Sequence, residues 1–104
     1  SYLHLLISYV AARIGVTAEY CKTHYFKAAA NADKFIPIEI DRITGAMVEV
    51  IKSSSEIDKA TMSEAIDRFR NWVAMEANIE TPDADNEVQL NAAKDYIRAN
   101  RQYL

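Results

Sequence analysis

Two side chains with chemical reactivity stand close together in the sequence, Cys21 and His24. A spacing of three residues on a helix places both on one face, where they could bind a metal or act as nucleophile and base. A metal site needs more ligands than this pair supplies, and a Cys–His pair alone lacks a group that stabilises an oxyanion. We therefore favour a packing role for both residues, and predict no metal site and no cofactor.

The remaining candidates for catalysis are also weak. Asp83 and Asp85 lie in the polar segment ETPDADNE, which lacks the glycine and the ligand spacing of a calcium loop. The chain has two glycines, too few for a Gly-rich loop that binds phosphate. The sequence therefore predicts that the protein is not an enzyme.

The stretch VAARIGVTAEYCKTHYFKAA, residues 10–29, has the pattern of a helix-turn-helix. Ala11 supplies a small side chain four residues before Gly15, and glycine is the residue that most often ends a helix in the left-handed conformation. Thr17 is suited to cap the next helix, because its hydroxyl can accept from the free amides of the first turn. Cys21 then occupies the next inward position. The pattern predicts two helices joined by a tight turn.

In such a unit, the start of the second helix enters the major groove of DNA. We expect Lys22 and Lys27 to meet phosphates and Thr17 and Thr23 to approach base edges, while Glu19 would face phosphate and repel it. The candidate DNA-binding residues are therefore Thr17, Glu19, Lys22, Thr23 and Lys27.

Residues 10–48 resemble the small Cro-like and repressor-like helix-turn-helix regulators of phage or prophage origin. VAARIGVTAEYCKTHYF is similar to their Ala-Ala-x-Leu-Gly-Val-Ser motif and recognition helix, and FIPIEIDRITGA to the Ile-Pro loop and helix that follow. The resemblance implies transcription regulation by sequence-specific binding to double-stranded DNA through residues 17–27, commonly as a homodimer. Residues 57–104 match no pattern of this family.

A second function remains open, that of a helical protein–protein interaction or assembly module without DNA binding, such as an adaptor, an inhibitor or a small particle component. A regulator requires Lys22, Thr23 and Lys27 exposed on one face. An interaction module would instead expose an apolar patch of more than a few hundred Å². The net charge is −3, with +2 on residues 1–36 and −3 on residues 57–104, so the only positive half is the one with the glycine turn.

The elements that would position these residues are predicted to be helices. Apolar residues at spacings of three and four, and few glycines and prolines, predict an all-α fold of four to five helices in one compact domain, residues 1–104. Residues 1–52 would form the helix-turn-helix half and residues 53–104 a half for packing or dimerisation. The expected helices cover 2–14, 18–31, 37–51, a fourth that starts within 54–62 and reaches 76, and 88–104.

The apolar faces of these helices define an expected core. Its members are Leu6, Val10, Ile14, Ile40, Ile43, Phe69, Val73 and Ile97, with Trp72 partly buried beside Phe69. Four aromatic residues near the second helix are expected to pack in the core rather than stack on bases, namely Tyr20, Tyr25, Phe26 and Phe35. Ser53 with Glu56, and Thr61 with Glu64, have the spacing of a capping box.

Cysteine usage and hydropathy give an expectation for location. The single cysteine cannot form an internal disulfide, which fits a reducing compartment. No run of 18 apolar residues is present, so no membrane span is expected. We predict a cytoplasmic protein.

Overall fold

The computed structural model describes residues 1–100, and 66% of it is helical. The all-α expectation holds for most of the chain, but a small two-stranded sheet interrupts the helices. The elements are α1 (Tyr2–Ile14), α2 (Ala18–Tyr20), a π-helical segment (Cys21–Ala29), α3 (Ala30–Phe35), β1 (Ile38–Ile40), β2 (Met47–Glu49), a 3-10 turn (Ser54–Glu56), α4 (Lys59–Ala77) and α5 (Glu87–Ala99).

The first helix and the turn after it follow the sequence pattern closely. Gly15 adopts a left-handed conformation with φ of 91°, and its amide donates to the Ala11 carbonyl at 2.8 Å. Thr17 then caps the next helix, because its hydroxyl oxygen accepts from the Tyr20 amide at 3.0 Å. The predicted start of the second helix at residue 18 is confirmed.

α2, the π-helical segment and α3 form one continuous helical stretch, residues 18–35. Asn31 has non-helical dihedrals, φ −138° and ψ 37°, and is fully buried. Its side-chain amide donates to the Phe26 carbonyl at 2.9 Å and to the Ala65 carbonyl of α4 at 3.0 Å. The side chain thus donates to a carbonyl next to the irregular point of the helix, and it links this helix to α4.

Three phenylalanines form the centre of the core. Phe26 lies with its ring centroid 5.3 Å from that of Phe35 and 5.4 Å from that of Phe69, and all three side chains are fully buried. Leu6 and Val10 of α1 belong to the same cluster. The core therefore lies between α1, the helical stretch 18–35 and α4.

α5 packs on the outside of α1. Tyr9 and Tyr96 meet edge to face at 5.7 Å, and Ala93 is buried. The Tyr2 hydroxyl donates to the Pro82 carbonyl at 2.6 Å and fixes the loop that leads into α5. Residues 101–104, the last four of the predicted helix 88–104, lie outside the described residues.

The prediction of a helix over residues 37–51 is wrong. This segment forms an antiparallel β-hairpin in which Ile38 is opposite Glu49, Glu39 opposite Val48 and Ile40 opposite Met47. The ladder continues to the base of the hairpin, where the Lys52 amide donates to the Phe35 carbonyl at 2.7 Å.

A local turn explains why the chain reverses. The Asp41 carboxylate accepts from the Ile43 amide at 2.9 Å and from the Thr44 amide at 2.8 Å, which closes an Asx-type turn. Gly45 completes the loop with φ of 73°, in the left-handed region that glycine enters without steric cost. The strands are rich in isoleucine and valine, whose branched side chains favour extended backbone.

The core prediction is confirmed for four helix residues, is met only in part at Ile97, and is wrong for Ile14 at the end of α1 and for both hairpin residues. Leu6, Val10, Phe69 and Val73 are fully buried, whereas Ile97 is half-buried. Ile14 is 37% exposed, Ile40 71% and Ile43 94%. Trp72 is half-buried and stacks parallel to Phe69, as expected.

The other packing predictions have mixed outcomes. Phe26 and Phe35 are buried and Tyr25 is half-buried, but Tyr20 is 45% exposed. The Ser53–Glu56 capping box is confirmed. α4 begins two residues before Thr61, because Asp58 is its N-cap and accepts from the Thr61 amide at 2.8 Å.

Candidate interaction surfaces

The predicted DNA-binding residues lie at the start of the second helix with unequal exposure. Thr17 and Glu19 are exposed, whereas Lys22 and Thr23 are half-buried. The Thr17 hydroxyl is already engaged as the cap of α2. These four residues therefore offer one cation and one anion to a ligand at this end of the helix.

Lys27 does not belong to this surface. Only 8% of it is exposed, and its ammonium donates to the Lys52 carbonyl at 2.8 Å and lies 5.6 Å from the centre of the Phe35 ring. Burial, and secondarily the charge of Lys22, lower the pKa of Lys27 below its ordinary value. Lys27 therefore holds the base of the hairpin, and it is not exposed beside Lys22 and Thr23 as the helix-turn-helix prediction requires.

Most of the positively charged side chains of residues 1–36 already interact with other groups of the chain. Arg13 donates to the Tyr9 hydroxyl at 2.7 Å and lies over the Tyr9 and Tyr96 rings. Lys34 forms an ion pair with Glu64 at 3.1 Å. Among the lysines and arginines of residues 1–36, Lys22 alone has no such interaction in the described chain. The field that this surface presents to a phosphate backbone is accordingly weak.

Cys21 is buried as the sequence predicts, and burial raises the pKa of its thiol to about 12. Such a thiol stays protonated at neutral pH, so it is a poor nucleophile and a poor metal ligand. His24 lies at the surface with its ring against Tyr20, 4.3 Å between centroids. In residues 1–100, no three His, Cys, Asp or Glu side chains are grouped as metal ligands would be.

The hairpin, residues 38–49, presents the largest set of exposed apolar side chains in the described chain. Ile38, Ile40 and Met47 lie on one face, because cross-strand partners and alternate residues share a face, and they are 65%, 71% and 77% exposed. Glu49 is on the same face, opposite Ile38. We call this the apolar face. Ile43 at the hairpin tip is 94% exposed.

The charges of the hairpin are mostly negative. Glu39, Asp41 and Glu49 outnumber its one cation, Arg42. Hydrogen bonds from the Thr44 amide, and then from the Ile43 amide, lower the pKa of Asp41, so this carboxylate is ionised at neutral pH. The hairpin is thus apolar and acidic, a combination that a nucleic acid backbone would repel.

A second apolar surface lies between α1 and α5. A groove of about 450 Å³ is lined by Tyr2, Leu5, Leu90 and Ile97 together with small residues, and its polar edge carries His4 and Lys94. No carboxylate is among the lining residues. We call this the α1–α5 groove, and its character is apolar and basic.

A larger cleft of about 830 Å³ lies between α4 and the loop before α5. Its main cation, Arg70, donates to the Thr81 hydroxyl at 2.8 Å and forms an ion pair with Asp83. The cleft is polar, and this network fixes the loop against α4.

No protein-family model, no curated protein and no solved structure matches this chain. In the described residues, no helix has both the length and the apolar character that crossing a membrane requires.

The hairpin is the surface that sequence reasoning missed, although a signal was present. Ile36, Ile38 and Ile40 alternate with other residues, a period of two that is typical of a strand. Asp41 and Gly45 then provide a turn. The same isoleucines also fit a helical stripe with Ile43 and Met47, and that alternative obscured the strand.

Proposed function

We propose that this chain is a helical protein–protein interaction or assembly module that docks through its exposed hairpin. The observation that carries the proposal is the apolar face, whose three large aliphatic side chains are each about two thirds exposed or more. Apolar groups concentrated in this way mark interaction sites, because water is a poor environment for them. The proposal assigns no catalytic chemistry to the chain.

The architecture of the hairpin supports this function. A two-stranded hairpin has little stability of its own in water. Here its base is fastened by the Lys27 ammonium and by the Lys52–Phe35 backbone bond, while no part of residues 1–100 covers its apolar face and tip. A hairpin that is secured at its base and uncovered beyond it is suited to reach a partner.

The acidic character of the hairpin favours a protein over a nucleic acid as that partner. The hairpin carries three carboxylates, and one of them, Glu49, lies on the apolar face itself. Carboxylates near phosphates cost binding free energy. A protein surface with apolar and basic groups would satisfy both features at once.

Photocrosslinking tests this proposal. A photoreactive amino acid replaces Ile43, 94% exposed at the hairpin tip, and a matched variant carries it at Val88, 79% exposed on α5. In cells that produce the protein, we expect covalent protein adducts from position 43 and few from position 88. Equal adducts from both positions, or none from position 43, would overturn the proposal.

DNA binding by a small helix-turn-helix regulator remains a second candidate. The left-handed Gly15 turn and the Thr17 cap have the local geometry that the sequence pattern requires, and they favour this candidate. If it is right, Lys22→Ala weakens binding to all DNA sequences and lowers the salt slope by about one unit. Glu19→Gln tightens non-specific binding, since it removes a repelling charge. A titration at low salt with no binding tighter than micromolar would exclude it.

A further inference from the structure

We propose that the occupant of the apolar face is the α1–α5 groove of a second copy of this chain. This inference rests on the proposed function and names the partner of the same surface. The apolar face offers aliphatic side chains beside Glu49, and the groove offers apolar walls beside Lys94. Both surfaces are apolar, and the charged groups beside them have opposite signs.

Charge complementarity is the first support. The hairpin has a net charge of −2 over residues 38–49, with Glu49 on the apolar face itself. The groove lining carries His4 and Lys94 and no carboxylate. Lys94 forms no ion pair within the described chain, so its ammonium is available to a carboxylate of another molecule.

Within residues 1–100, the hairpin and the groove do not cover each other. Ile40 and Met47 are 71% and 77% exposed, so the hairpin of one molecule does not fill its own groove. The molecule is elongated, 51 Å against 30 Å and 24 Å in the other two directions. A contact between two copies therefore buries the apolar side chains that a single copy leaves exposed.

The size of the contact fits a reciprocal dimer, in which each hairpin enters the groove of the other copy. Each copy then contributes the apolar face and tip of its hairpin together with the nine residues that line its groove. Specific interfaces use roughly 20–30 residues a side. A single hairpin in a single groove would bury only one of these two surfaces on each copy, which is why we infer the reciprocal form.

Charge reversal tests this arrangement on the full chain. By sedimentation equilibrium up to high micromolar concentration, we expect the wild-type chain to dimerise. Glu49→Lys and Lys94→Glu should each weaken the dimer about tenfold or more, because each places like charges together. An equimolar mixture of the two variants should dimerise again, since both contacts of the mixed dimer then join opposite charges at positions 49 and 94. Glu39→Lys, on the opposite face of the hairpin, is the matched control and should change little.

The outcomes separate this inference from the proposed function. A monomeric wild-type chain, or a dimer that Lys94→Glu leaves unchanged, would overturn the hairpin–groove contact. Adducts from position 43 to a different protein would then still support docking through the hairpin. A monomer without any adducts from position 43 would overturn both.

Discussion

The helical core and the hairpin both carry large apolar side chains, but only the core buries them. Leu6, Val10 and Phe69 are fully excluded from water, whereas Ile40 and Ile43 are 71% and 94% exposed. The difference comes from packing. The three helical elements of the core, which are α1, the stretch 18–35 and α4, pack against one another, whereas the hairpin projects beyond them. Stability is therefore concentrated in the helices, because the exposed apolar side chains of the hairpin contribute little burial to it.

The largest expected effect is a core substitution. Phe69→Ala removes a ring that contacts Phe26 edge to face and lies in the fully buried cluster. We expect the free energy of unfolding to fall by about 3–5 kcal/mol. Ile43→Ala, the matched change at the exposed hairpin tip, should cost less than about 0.5 kcal/mol. Urea denaturation measures both, and equal losses would break the distinction between the two regions.

The next largest effect is expected at Lys27, which connects the hairpin to the helical core. Lys27→Ala removes the donor to the Lys52 carbonyl, and we expect a loss of about 2 kcal/mol, typical of a hydrogen bond from a charged group. Amide hydrogen exchange should accelerate more at Lys52 and Val50 than in α1. Lys22→Ala, five residues earlier and half-buried, is the control and should leave exchange in the hairpin unchanged. Uniform acceleration throughout the chain would contradict an anchoring role.

A smaller effect is expected at the turn between α1 and α2. Gly15→Ala places a Cβ atom in open space, so the cost is only that of the left-handed conformation at φ of 91°. We expect a loss of about 1 kcal/mol, at the lower end for such strain. Gly15→Asn should cost less, because asparagine tolerates this region. A thermal unfolding midpoint unchanged by Gly15→Ala would show that the turn is not fixed as described.

The smallest effect is a pH dependence confined to the hairpin. The folded pKa of Asp41 is lowered by hydrogen bonds from the Thr44 and Ile43 amides. The stabilisation that ionised Asp41 gives to the turn is therefore fully present above the ordinary pKa of 3.8. It is lost as the pH falls through the lower pKa of the folded state. The NMR signals of both amides should shift over that range, and Asp41→Asn should abolish the shift. Parallel shifts in the α1 core would contradict a local turn.

These expectations also show what the sequence could and could not reveal. Leu6, Val10 and Phe69 are predictable because helical periodicity and burial agree there. Lys27 was misplaced because its partner, the Lys52 carbonyl, lies 25 residues away and only the hairpin brings it near. Residues 37–51 satisfy both a helical stripe and a strand alternation, and the Asp41–Gly45 turn decides between them. The groove is assembled from α1 and α5, which no local pattern relates.

The most direct test of the central claim, that the apolar face is for docking, uses the double variant Ile40→Lys/Met47→Lys with the photoreactive residue at position 43. Both side chains are largely exposed, so the free energy of unfolding should stay within about 1 kcal/mol of the parent. The measurement is the yield of protein adducts from position 43. The account predicts that this yield is lost while the fold remains, and an undiminished yield in the folded double variant would contradict it.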